Sequence, residues 1–188
     1  RLEGAVRQID CYADGQLDFP MSKRVGALQE VIVPLVAPDP TWYDPTQQSS
    51  SVFMPTSATY QVSLSAAGLT WEDWPVLSII GPATGLTLTH LYSGDSMVFS
   101  SAIPSGETFV IDLRPGQKTV YRSSDGANRI SYLNAASLSA LGSLRIFAEK
   151  WLKLLNGSAT NNIITATATG TSAATKLTVD WYKRYISL

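Results

Sequence analysis

The chain is poor in the residues that carry out chemistry. It has one cysteine, Cys11, and one histidine, His90, among 188 residues. A lone cysteine cannot close an internal disulfide, so the fold must rest on its core and does not depend on an oxidising compartment. One Cys and one His far apart leave only carboxylate metal sites, and no Asp/Glu cluster has ligand spacing. Charge is also scarce, at 15% of residues against 45% hydrophobic, with a net charge of −1. That balance does not point to nucleic acid. No apolar run reaches about 18 residues, so no membrane-spanning helix is expected. There is no Gly-x-Ser-x-Gly elbow and no glycine-rich phosphate loop. No cofactor is expected. The opening residues, Arg1–Gly4, show neither an initiator Met nor a signal pattern, and the chain is expected to be a piece of a longer one.

Strand grammar fills most of the rest. Tyr60, Val62 and Leu64 alternate with polar neighbours, the period of a half-buried strand. Leu86, Leu88, His90 and Tyr92 do the same. Thr108–Leu113 and Lys118–Arg122 are short β-rich runs, and Ile163–Thr169 is rich in β-branched residues. Leu177, Val179, Trp181, Lys183 and Tyr185 are expected on one face of a long C-terminal strand. Between the runs stand turn signals such as Gly81-Pro82, Ser93-Gly94-Asp95 and Asn156-Gly157. Pro115-Gly116 predicts a type II turn over Arg114–Gln117, because Pro presets φ and Gly tolerates the positive φ that follows. Asn134–Leu155 is ambiguous. It predicts a turn or short helix near 135–142 and a strand near 149–155.

These patterns predict an all-β protein, an antiparallel β-sandwich over 56–188. Before it, Ala5–Tyr12 and Leu28–Val36 read as two strands around a loop holding Gly15, Pro20 and Gly26. They form an arm, or the end of a preceding domain, over 1–38. A proline-rich connector follows over 39–55, with Gln47–Ser51 as a flexible polar patch. Two strands cannot bury their own apolar side chains, so the arm is expected to pair with something else.

Catalysis has little to stand on. His90 falls on the apolar side of a strand, which suits a core histidine. Glu72-Asp73 and Glu107…Asp112 come nearest to paired carboxylates. No catalytic residue is assigned, and the expectation is a non-enzyme. Trp42, Tyr43, Trp71, Trp74, Trp181 and Tyr182 are aromatic candidates for contact with a sugar or a partner protein. Residues 126–188 carry seven basic residues against Glu149 and Asp180. These read as solvated edge-strand lysines, or as a docking face for an acidic partner.

In order, several stretches resemble the siphophage distal tail protein family, also described as phage tail family proteins. Tyr12–Gly15 followed by Val31–Asp44 is similar to the end of that family's N-terminal ring domain. Pro75–Pro82 resembles the first strand of its C-terminal domain, and Gly106–Val120 its most recognisable hairpin. Asn128–Leu133, Asn161–Ile163 and Val179–Tyr182 resemble its later strands. Asn156–Thr160 departs from the plain Pro-Gly-Asn-Asn turn of the family, and most of the N-terminal domain is absent.

The resemblance implies a galectin-like or carbohydrate-module-like sandwich. It also implies a cyclic homo-oligomer, expected to be a hexamer, at the tail tip of a virion assembled in the bacterial cytoplasm. Its partners would be itself, other tail proteins and, in the alternative reading as a carbohydrate-binding module, host-wall saccharide. Neither nucleic acid nor membrane is among the expected partners.

Overall fold

A computed structural model describes residues 6–15, 24–25, 28–29, 31–157 and 160–186. In the N-terminal region β1 (Tyr12–Ala13) pairs antiparallel with β4 (Leu35–Val36), and β2 (Arg24–Val25) with β3 (Leu28–Gln29). The two long strands expected here are thus replaced by short ladders. Pro34, which has no N–H to donate, sits inside the second run. Ala5, Pro20 and Gly26 lie outside the described residues.

The rest is a sandwich of two antiparallel sheets. One has four strands in the order β10 (Ser96–Val98), β9 (Thr84–His90), β13 (Asn161–Thr169), β7 (Thr59–Ser65). The other has five, in the order β12 (Thr119–Arg122), β11 (Thr108–Asp112), β8 (Val76–Ile80), β14 (Lys176–Trp181), β6 (Gln48–Phe53). The alternation in sequence becomes alternation in burial. Val62, Leu64, Leu86, Leu88, Ile164 and Ala166 point inward from the first sheet. Leu77, Ile79, Phe109, Ile111, Leu177 and Val179 do so from the second, and all belong to one continuous core. Each of the Val, Leu, Ile and Phe side chains among them contributes about 1.5–3 kcal/mol when taken from water.

The β11–β12 hairpin closes through the expected turn. The Gln117 N–H donates to the Arg114 carbonyl at 3.0 Å, and Gly116 takes φ +81°. Gly81 is needed for a different reason: a Cβ there would fall 2.1 Å from the Pro104 carbonyl oxygen.

Four expectations are corrected. The patch expected over Gln47–Ser51 is instead mostly part of an edge strand, Gln48–Phe53, paired in register with β14 from Gln48↔Trp181 to Phe53↔Lys176. An outer strand tolerates serine on its solvent face, while the alternate Val52 packs on the core. The C-terminal strand is not continuous. It leaves the sheet after Trp181, and β15 (Arg184–Tyr185) pairs instead with β5 (Trp42–Tyr43). The segment read as a strand near 149–155 is a helix, α2 (Glu149–Asn156), after the short α1 (Ala140–Ser143). Leu152 alone on α2 is buried, and Glu149 pairs with Lys153 at 2.6 Å one turn on. The basic residues of the C-terminal third are not edge-strand lysines either. Lys176 lies on an interior strand and Lys153 on the helix, while Arg145 and Arg184 pair with acids. Among the described residues no helix is long and apolar enough to cross a membrane.

Candidate functional site

The carboxylates nearest to catalytic pairs are each tied to an arginine. Glu72 lies 2.8 Å from Arg145, Asp73 2.7 Å from Arg184, Glu107 3.0 Å from Arg122 and Asp112 2.6 Å from Arg114. His90 is buried and fully engaged. Its Nε2 lies 3.0 Å from Asn162 Oδ1, and its Nδ1 accepts from the Ser93 N–H at 3.2 Å. With Nδ1 accepting, Nε2 is the protonated nitrogen. Asn162 in turn accepts from the Phe147 N–H and donates to the Phe147 carbonyl, fixing the loop before α2 to β13. Burial pushes the His90 pKa below its ordinary value, against the Asn162 bond and the Asp95 charge. Among the described residues no group of three His, Cys, Asp or Glu side chains could hold a metal.

Among the described residues, three surfaces carry aromatic or exposed aliphatic side chains without a catalytic arrangement. The first is a cleft of about 290 Å³ where the arm and connector meet the sandwich. The Gln8–Tyr43 backbone bridge, with two bonds of 2.9 Å, sets one wall. Asp10 stands there, accepting from the Tyr43 hydroxyl at 2.6 Å. Trp74 and Val76, entering β8, and Asp180 to Tyr182, leaving β14, supply the other wall. The Tyr43 and Tyr182 rings meet edge to face with centroids 5.5 Å apart. Arg184 and Asp73 close one end. Burial raises the pKa of Asp73, offset only in part by the Tyr182 N–H and by Arg184.

The second is a groove of about 280 Å³ lined by Trp71, Glu72, Arg145, Phe147 and Trp151. It continues onto α2, where Trp151 and Leu154 are 55% and 74% exposed.

The third is the arm. Val31, Ile32, Val33, Leu35 and Val36 are all exposed, Val33 at 46% and Leu35 at 62%. In an extended segment successive side chains point to opposite faces, so among the described residues neither face is covered.

No protein-family model, curated protein or solved structure matches this chain. The residues themselves must carry the reading.

The aromatic candidates are divided between these places. Tyr43, Trp74, Trp181 and Tyr182 come together at the cleft, and Trp71 lies in the groove. Trp42, half-buried on β5, lines neither. Trp181 is a wall of the core rather than an exposed platform, at 5% exposure. Sequence reasoning missed Asp10, Arg114, Gln8 and Gln47 in the cleft, and Trp151 in the groove. The Trp151 signal was available, since a helix over 149–156 places it on the face of Leu154 and Leu155.

Proposed function

We propose that the chain is a non-catalytic structural component of a bacteriophage tail tip, of the distal tail type. In this reading the intact protein assembles as a ring through its N-terminal part, and the sandwich projects from it. One observation supports this most. The sandwich has a complete core of its own, yet the segment from Val31 to Val36 exposes five aliphatic side chains on both of its faces. An isolated pair of short strands has no independent stability to justify such a surface. Exposed apolar patches of this kind mark protein interfaces, and short strand edges invite pairing with another chain. Repetition of one head-to-tail contact closes a ring. The engaged state of His90 and the arginine-paired carboxylates are in keeping with a role without catalysis.

The reading is tested by the mass of the intact protein in solution and by its appearance in negative-stain electron microscopy. A discrete cyclic oligomer, expected to be a hexamer, supports it. A monomer with no rings removes it.

A further inference from the structure

We propose that the cleft between the arm and the sandwich is a binding site for a single neutral sugar residue. The cleft goes beyond the assembly role, because no contact between copies is needed to form it. Its volume of about 290 Å³ lies at the lower limit for small-ligand pockets, which suits one ring rather than a chain of them. Three of its aromatic side chains, Tyr43, Trp74 and Tyr182, are only half-buried, so ring surface is left for a ligand with an apolar face.

The polar lining narrows the chemistry. Asp10 and Asp180 offer acceptors, while the Gln47 amide offers donors beside the Gln8 amide, which is hydrogen-bonded to the Tyr43 hydroxyl. A quaternary ammonium could use the aromatic faces and the acceptors but would leave the donors without partners. A phosphate or carboxylate ligand needs a free cation, and the two arginines here are already committed. Arg114 is bidentate on Asp112, and Arg184 bridges Asp73 and Asp39. Counting Asp10, Asp73 and Asp180 against Arg114 and Arg184, the lining is one unit negative, which also disfavours an anion. A hydroxyl both donates and accepts, and a pyranose carries several hydroxyls around an apolar face. That combination matches the lining.

The test is a titration of the chain with glucose, galactose, mannose, rhamnose and N-acetylglucosamine, with choline chloride and inorganic phosphate as charged probes. Amide and indole N–H resonances in two-dimensional NMR give the readout. The proposal expects a saturable shift from at least one sugar, with a Kd below about 20 mM. The shifts should centre on Tyr43, Trp74 and Asp180–Tyr182. Asp180→Ala should weaken that binding by about tenfold, with the melting temperature unchanged. It is overturned if no sugar gives a saturable shift, if choline or phosphate saturates the cleft instead, if the shifts map to Trp71 and Trp151, or if Asp180→Ala binds as well as the parent.

Discussion

Arg184 donates its Nε to Asp73 Oδ1 at 2.7 Å across 111 residues of sequence. Its Nη1 donates to both Asp39 and the Thr41 hydroxyl. One guanidinium therefore ties the connector, the entry to β8 and the C-terminal strand β15 together. Asp73 completes the knot by accepting the Tyr182 N–H at 2.8 Å, where the chain leaves the sheet.

Arg184→Gln should therefore be costly, by about 3 kcal/mol, because a buried carboxylate would lose its counter-charge. The pH dependence has a definite sign. The folded pKa of Asp73 already lies above its ordinary value through burial, and removal of Arg184 raises it further. A group raised in the folded state contributes fully below its unfolded pKa, and loses that contribution as pH rises through the folded value. The variant should thus be more destabilised relative to the parent at about pH 7 than at about pH 4. Urea unfolding at the two values checks this, and an equal loss at both would separate Asp73 from Arg184.

Gly116→Val should destabilise the β11–β12 hairpin by roughly 1 kcal/mol or more, since φ is +81° there. A Cβ at this position meets nothing within 4 Å, so backbone strain is the only cost. Gly116→Asn should cost less, because asparagine tolerates the left-handed region. Thermal unfolding of the two variants tests the order.

His90 gives a clean pH probe because it is the chain's only histidine. Its folded pKa lies below the ordinary 6.5, chiefly through burial. Its contribution is then complete above about pH 6.5 and is lost as pH falls through that value, where the unfolded chain takes up the proton first. His90→Gln should flatten the fall in melting temperature between about pH 7 and pH 5. The informative quantity is the slope, since the substitution also disturbs the bond to Asn162. An unaltered slope would mean that His90 is not held neutral.

Much of the sandwich was legible because its signals are local. Val62 and Leu64, or Leu86 and Leu88, declare an inward face within a few residues, and Pro115-Gly116 dictates a turn by backbone sterics alone. Helix α2 carries an apolar stripe of Trp151, Leu152, Leu154 and Leu155, but it is only eight residues long and follows Gly142 and Ser143, so its short run also suits a strand; only Leu152 is buried, while Trp151 and Leu154 face outward. Strand β6 was misread because its serines satisfy a sheet edge and resemble a linker in composition. The cleft was only partly legible. Aromatic type flagged Tyr43, Trp74, Trp181 and Tyr182. Asp10, Arg114 and Asp180 come from distant segments that meet only through β pairing, so no spacing announces them.

The arm is the feature on which the functional account turns. Multi-angle light scattering on the intact protein at tens of micromolar, beside the triple variant Val31→Asp/Val33→Asp/Leu35→Asp, tests it most directly. Those three side chains are exposed, so the sandwich should fold in the variant with its melting temperature essentially unchanged. The account predicts a single cyclic oligomer for the parent, expected to be a hexamer, and a much lower mass for the variant. A parent that stays monomeric, or a variant that assembles equally well, would contradict it.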